Sequence, residues 1–396
     1  MPTVTPDLPA PGELWARWAA LSAALRCLGF DDVWWTGPDG AAGHDDGGGS
    51  WMRLTLVEGG RAVLHGWDRD ASFDHDDVGR CAPPLDLLAG SPDWLPFAEL
   101  RQPVAEEQLG WAFWFEPGTG WSRAAYPDGV GDGSATLLRS VREPDDGLAE
   151  VQDEWAEADV QAAPRARVLA AAAAGFVDAA SLAALLAGSE RAVPELGTGP
   201  TTPTWAAPGD GRDRPSPPVM TREEQWLVAE AAARTGYEAP RRTPAPSPLL
   251  AEVAAPVVAA VPPGGRGSIT AWLGEHSAKM TQHGDLDADR LDVLRPLREL
   301  RRVEGTEHGR WSFFAVVVRD GEVSFWRAYD TVPTWWKREW YSSPELPEAV
   351  ELAARPPGFR PAWAELLDDP VRALGVPPRF AGTARRVLGR DVVAGS

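Results

Sequence analysis

Cysteine is nearly absent from this sequence of 396 residues, which holds only Cys27 and Cys81. Two thiols cannot build a disulfide scaffold, and such scarcity is typical of proteins from a reducing compartment. The N-terminal stretch also lacks the basic residues and the apolar run of a signal peptide. We therefore expect a cytoplasmic protein.

Long apolar runs are missing as well. The best candidate for a membrane span is "RVLAAAAAGFVDAASLAALLAG", which begins at Arg167 and carries Asp178 at its centre. Alanine contributes little to membrane insertion, and a central carboxylate opposes it. The stretch instead predicts an Ala-rich helical hairpin, broken near Gly175, and no association with a membrane.

Lysine is absent from residues 1–150, which hold 25 Asp and Glu against 10 Arg and carry a net charge of −15. Residues 220–396 hold 24 acidic and 23 basic residues, a net charge of −1. A strongly acidic region repels phosphate backbones, so we expect no nucleic-acid partner. The asymmetry favours a basic protein partner, and the alternative is that the acidic residues serve only solubility.

The sequence divides into four parts. Residues 1–150 predict an acidic α+β domain with two hairpins, and residues 220–396 predict a second α+β domain. Residues 151–187 form the Ala-rich helical segment, and residues 188–219 are rich in Pro and Gly and predict a flexible linker. The fold class is therefore two domains of antiparallel sheet with packed helices, joined by these two segments.

Two hairpins with the same outline occur in the two domains. One is "WMRLTLVEGGRAVLHGWDRD" from Trp51, and the other is "WSFFAVVVRDGEVSFWRAYD" from Trp311. Met52, Leu54 and Leu56 alternate with polar residues, which predicts one buried and one wet face. The strand after Trp311 is apolar on both faces, so we expect a central, covered strand.

No catalytic set or cofactor motif emerges from the sequence, and we expect neither enzyme activity nor a cofactor. The densest group of possible metal ligands is the acidic loop between Asp68 and Asp77, with Asp70, Asp74 and His75 inside it. It lacks the Gly and the final acid of an EF-hand loop. A metal-dependent hydrolase using this loop remains an alternative to a binding protein.

Tryptophan is abundant, with 20 residues, and some of them cluster beside charged residues. Large rigid side chains near Arg are typical of interface anchors, although they also close the edges of a core. Stacking on sugar rings, as in a carbohydrate-binding module, is a third alternative. The candidate aromatic anchors are Trp34, Trp35, Trp335, Trp336 and Trp340.

The stretch "LDVLRPLRELRRVEGTEHGRWSFFAVVVRDGEVSFWRAYD", from Leu291 to Asp330, with the Trp335-Trp336 pair that follows, resembles the YezG-type immunity proteins of bacterial polymorphic toxin systems. The resemblance covers about 100 residues of the C-terminal part and rests on a Leu-rich helix followed by a Trp-led hairpin. The matching positions are Leu297, Leu300, Trp311, Val317, Gly321, Phe325, Tyr329 and Asp330.

This resemblance implies an immunity or antitoxin factor that neutralises a toxin by protein–protein contact, without chemistry of its own. Charge and composition fit this hypothesis, because an acidic domain accelerates association with a basic toxin and Trp anchors slow its release. We expect Asp74, Asp76 and Asp77 of the acidic loop to contribute to the contact.

Overall fold

A computed structural model describes residues 3–4, 7–72, 84–126, 131–157, 160–236, 247–275, 277–286, 292–306, 309–337 and 345–394. The chain divides into two compact units, Met1–Pro218 and Val219–Ser396. Each unit combines helices with an antiparallel sheet, which confirms the predicted two-domain α+β fold.

The first unit contains a seven-stranded antiparallel sheet in the order β1-β7-β6-β5-β4-β3-β2. The predicted hairpin that begins at Trp51 is present, and a second hairpin joins Trp111–Glu116 to Gly120–Ala124. Gly59 and Gly60 in the turn of the first hairpin have positive φ, as a type I′ turn requires. The strands are β1 (Thr3–Val4), β2 (Trp34–Thr36), β3 (Ala41–Asp45), β4 (Trp51–Val57), β5 (Arg61–Trp67), β6 (Trp111–Glu116) and β7 (Gly120–Ala124).

Both faces of this sheet are covered. On one face, Met52 and Leu54 of β4 pack beneath helix α1 (Pro11–Cys27). On the other, Val63 and Trp114 pack against the segment that leads into helix α2 (Phe97–Glu106). Alternate residues of a strand point to opposite faces, so each strand contributes to both cores.

The Ala-rich segment forms the predicted helical hairpin, but it is not a connector outside the first domain. Val168, Ala172 and Leu182 are fully or almost fully buried in the same core as α1, because small Ala side chains let the helices approach closely. The hairpin breaks at Gly175, as predicted, and Gly175 has positive φ. The helices of this part are α3 (Ser134–Leu137), α4 (Arg139–Arg142), α5 (Pro144–Glu150) with a π-helical continuation (Val151–Trp155), α6 (Ala162–Ala173), α7 (Ala179–Leu185) and α8 (Pro194–Gly197).

The predicted linker, residues 188–219, belongs to the first unit up to Pro218 and packs on it rather than extending away. Strands β8 (Phe176–Val177) and β9 (Gly199–Pro200) pair, and the Ala206 amide donates a hydrogen bond to the Leu56 carbonyl at 2.8 Å. The Gly209 amide donates to the Trp94 carbonyl at 2.7 Å. These hydrogen bonds satisfy backbone groups of a Pro/Gly-rich segment that forms little regular structure of its own.

The second unit is built around a four-stranded antiparallel sheet in the order β11-β10-β12-β13. The apolar strand β12 is internal and largely buried, as predicted, and the Asp320-Gly321 turn has positive φ at both residues. The strands are β10 (Arg266–Leu273), β11 (Ala278–Gly284), β12 (Phe313–Arg319) and β13 (Glu322–Ala328).

Helices of the second unit pack against this sheet and beside it. The capping box of Thr221 and Glu224 is present at the start of α9, and Pro296 lies in the first turn of α11 instead of kinking it. The helices are α9 (Arg222–Thr235), α10 (Leu249–Ala260), α11 (Leu294–Val303), α12 (Ala349–Ala353), α13 (Asp369–Leu374) and α14 (Ala381–Leu388), with 3₁₀ turns at Pro357–Phe359, Ala362–Leu367 and Pro378–Phe380.

Among the residues that the structure describes, no helix combines the length and the apolar character needed to cross a bilayer. The longest helix, α1, has 17 residues and packs against the first sheet.

Candidate functional site

One row of residues crosses five strands of the first sheet. The strand registers place Trp35 opposite Gly43, Gly43 opposite Arg53, Arg53 opposite His65, and His65 opposite Ala112. Residues paired in this way share a face of the sheet, and this row lies on the face opposite α1. The row thus brings an aromatic, a cationic and an imidazole side chain together.

Helix α2 supplies the other wall of the site. One face of α2 carries four residues at helical spacing, Glu99, Gln102, Pro103 and Glu106. Together with the row they enclose a cavity of about 340 Å³. Upstream on α2, Phe97 and Leu100 are buried in the second core, and this packing fixes the helix over the sheet.

Trp35 forms one side of the cavity because its partner in the row is a glycine. A β-carbon built on Gly43 would stand 2.2 Å from ring atoms of Trp35, so only glycine leaves room for the indole. On the same row, the Arg53 guanidinium carbon lies 5.7 Å from the centre of the Trp35 ring, within range of a cation–π contact.

His65 is the most unusual polar residue of the site. Its side chain is 1% exposed, and its Nδ1 has no hydrogen-bond partner among the described residues. Burial, with a smaller contribution from the charge of Arg53, lowers the pKa of His65 to about 3. The imidazole is therefore neutral at neutral pH, and its ring contacts Trp51 edge to face at 5.5 Å.

The charges of the cavity do not balance. Arg53 Nε lies 3.7 Å from Glu99 Oε2, and the Thr55 hydroxyl donates a hydrogen bond to the same oxygen at 3.0 Å. Asp45 and Glu106 also line the cavity and add two further carboxylates. Three carboxylates against one guanidinium leave the cavity with a net negative charge, which favours a cationic or hydrogen-bond-donating group over an anion.

The predicted pair Trp34 and Trp35 is split between the two faces of the sheet. Trp34 is buried in the α1 core, where its ring lies 5.0 Å from that of Trp18 and stacks on His44 at 4.2 Å. Successive residues of a strand point in opposite directions, so the two rings cannot form one flat surface. Trp34 is therefore a core residue in this structure, and only Trp35 reaches the cavity.

The second predicted aromatic group is also divided. Trp336 is 3% exposed, packs edge to face on Phe313, and donates a hydrogen bond to Glu345 Oε2 at 3.3 Å. Trp335 is half-buried. Trp340 lies outside the described residues. The structure therefore places Trp336 in the core of the second unit rather than on an exposed surface.

The acidic loop is described only at its beginning. Asp68 is buried, and its Oδ1 accepts hydrogen bonds from the amides of Asp70 and Ala71 at 2.9 and 3.0 Å. This oxygen stabilises a turn, while Asp70 is exposed. Asp74, His75, Asp76 and Asp77 lie outside the described residues. Within the described ranges, no group of three metal-ligating side chains occurs.

Sequence reasoning did not single out Arg53, His65, Glu99 or Glu106. A signal was present in Arg53, which interrupts an apolar strand on its wet face, and in the helical spacing from Glu99 to Glu106. Neither pattern indicates that the helix lies over that strand, because the contact joins segments more than 40 residues apart.

The second unit contains a cavity of similar size, about 350 Å³, lined by Arg310, Glu351 and Arg355. Two of its charged residues are engaged within the unit: Arg301 donates to both oxygens of Glu351 at 2.7 and 2.6 Å, and Arg355 pairs with the buried Asp330. These two charged residues therefore serve the fold, and the cavity beneath α2 is the better candidate site.

Comparison with known proteins finds no family model, no curated protein and no solved structure that matches this chain.

Proposed function

We propose that this protein is a cytoplasmic, non-enzymatic binding protein that neutralises a basic protein partner by direct contact, as an immunity or antitoxin factor does. The observation that carries the proposal is the position of the carboxylate-lined cavity in the acidic unit. Residues 1–218 hold 34 acidic and 15 basic residues, a net charge of −19. Residues 219–396 carry a net charge of −1.

The two units would then have different tasks. A net charge of this size produces a field that speeds the approach of a basic partner and suppresses acidic competitors. The second unit, which carries the stretch that resembles YezG-type proteins, would act mainly as a scaffold. In support, Trp311, Leu297 and Leu300 are fully buried, and Tyr329 and Asp330 are also buried.

The test starts from the neighbouring gene: where it encodes a secreted protein with a toxin-like C-terminal domain, that domain is produced on its own. Cells that express that domain should survive only when this protein is co-expressed. The association rate between the two purified proteins should fall steeply with salt, since screening acts within about 8 Å at physiological ionic strength. Converting Asp74, Asp76 and Asp77 together to Asn should slow association several-fold at low salt.

A failure to protect the cells, or an association rate that does not depend on salt, would contradict the proposal. The control replaces both Glu299 and Glu322 in the second unit by Gln, which removes two negative charges from the nearly neutral unit. This double variant should associate at the wild-type rate.

A further inference from the structure

The cavity beneath α2 has more carboxylates than cationic side chains, so it could bind a further positive charge. Glu99 is engaged by Arg53 and Thr55, whereas Glu106 is exposed and accepts only a hydrogen bond from Gln102 Nε2 at 3.1 Å within the described residues. Asp45, at the end of β3, contributes a second exposed carboxylate. A cation that entered the cavity would meet carboxylates from both the helix and the sheet.

His65 provides an independent indication of a ligand. Buried polar atoms almost always have hydrogen-bond partners, and a buried atom without one destabilises the fold. A neutral imidazole has one donor and one acceptor nitrogen. His65 can therefore accept a hydrogen bond from a donor group that enters the cavity. His65 lines the cavity, and its Nδ1 is one of two buried side-chain atoms of the lining without a hydrogen bond among the described residues. The other is Arg53 Nε, which lies 3.7 Å from Glu99 Oε2.

The size of the cavity limits the ligand. A volume of about 340 Å³ stands at the lower end of the roughly 300–1,000 Å³ typical of small-molecule sites. Half-buried Trp35 supplies an apolar wall. These dimensions suit one extended side chain with a cationic end better than a nucleotide or an oligosaccharide.

We infer that this cavity receives the guanidinium group of an arginine side chain presented by the basic partner. This inference rests on the proposed function and names the contact through which the partner is held. Guanidinium suits the site better than ammonium, because its planar fork of donors can bond a carboxylate and a neutral acceptor at once and it is more weakly hydrated.

The test titrates the full chain with N-acetylarginine amide and follows the indole N–H signal of Trp35 by NMR, assigned with a Trp35→Phe variant. The matched control ligand is N-acetylcitrulline amide, which has nearly the same shape without the charge. We expect a saturable shift with the arginine probe, weaker binding of N-acetyllysine amide, and none of the citrulline probe. Equal binding of citrulline, binding of acetate instead, or no saturation with arginine would overturn the inference.

Two variants link that shift to the cavity. Glu106→Gln changes an exposed side chain and leaves the fold intact, and Glu99→Gln keeps an acceptor for the Thr55 hydroxyl. A hydrogen bond to a charged group contributes about 1.5–3 kcal/mol, so each variant should weaken the arginine probe roughly tenfold or more. Glu190→Gln, an exposed change outside the cavity, should leave the affinity unchanged.

The same variants separate this inference from the proposed function. If the basic partner binds wild type and Glu106→Gln with equal affinity, the cavity is not its docking point, although the partner-binding function stands. If the arginine probe binds and the basic partner does not, the cavity is a guanidinium site and the proposed function fails.

Discussion

Trp35 lies against the backbone of Gly43, so closely that a β-carbon on Gly43 would stand 2.2 Å from the indole ring. The Gly43 carbonyl accepts a hydrogen bond from the Trp18 indole N–H at 2.9 Å. Gly43 thus joins the α1 core to the cavity wall.

The first prediction concerns this contact. Gly43→Ala should destabilise the first unit by about 1–3 kcal/mol, because the added methyl forces Trp35 away from the sheet. Urea denaturation measures the change. The control is Gly12→Ala near the start of α1, where nothing lies within 4 Å of a new β-carbon and alanine favours the helix. Equal stability of Gly43→Ala and wild type would show that Trp35 does not occupy this position.

The second prediction follows from the pKa of His65, which burial lowers to about 3. In the unfolded chain an imidazole has a pKa of about 6.5. Below that pH the unfolded state therefore binds a proton that the folded state does not bind. The stability that His65 contributes should therefore be complete above about pH 6.5. It should fall by roughly 1.4 kcal/mol per unit as the pH decreases towards about 3.

Unfolding free energies at several pH values should show this slope in wild type and a smaller slope in His65→Phe. An NMR titration gives the direct check, because the ring signals of His65 should stay constant between pH 8 and pH 5. A ring that titrates near pH 6.5 would mean that solvent reaches the imidazole.

The third prediction concerns Cys27, whose buried thiol contacts the carbonyl oxygens of Ala23 at 3.2 Å and Pro194 at 3.7 Å. Burial is the largest cause that raises its pKa to about 11, and the thiolate is the reactive form. In a Cys81→Ser variant, iodoacetamide at pH 8 should label the native protein very slowly and the urea-unfolded protein rapidly. Rapid labelling of the native protein would show that the helices over α1 open readily.

The fourth prediction concerns the boundary of the first unit. A fragment of residues 1–150 lacks the helices that bury Val168, Leu182 and Leu185 on α1, and it should remain unfolded or aggregate. A fragment of residues 1–218 should fold cooperatively, with a dispersed NMR spectrum. If the shorter fragment folds equally well, the Ala-rich helices would be an accessory and not part of the core.

The fifth prediction concerns Glu304, which follows α11 and is nearly fully buried. It accepts hydrogen bonds from Trp311 Nε1 at 2.9 Å and from Arg327 Nε at 2.6 Å. Glu304→Ala should destabilise the second unit by about 3–5 kcal/mol, because it leaves a guanidinium without its partner in the interior. Glu299→Ala on α11 itself breaks only an exposed pair with Arg302 and should change the unfolding midpoint little.

Local patterns predicted the elements well, and they failed where a contact depends on distant segments. The predicted hairpins from Trp51 and Trp311 arise from residues within a few positions of one another, as the capping box of Thr221 also does. The prediction that the helices of residues 151–187 form a segment separate from the first domain was wrong. Their Ala-rich composition indicates a helix, and it contains no information on which surface the helix will cover.

The sequence by itself determined the two α+β units, their strands and turns, and the strong acidity of the first unit. These features depend on periodicity, glycine positions and composition, which are local or additive properties. Only the tertiary structure decided that Trp34 and Trp336 are core residues and that Trp35, Arg53, His65 and Glu106 surround one cavity. That cavity exists because five strands align in one register and α2 packs over them, and both arrangements minimise the exposed apolar surface of the whole unit at once.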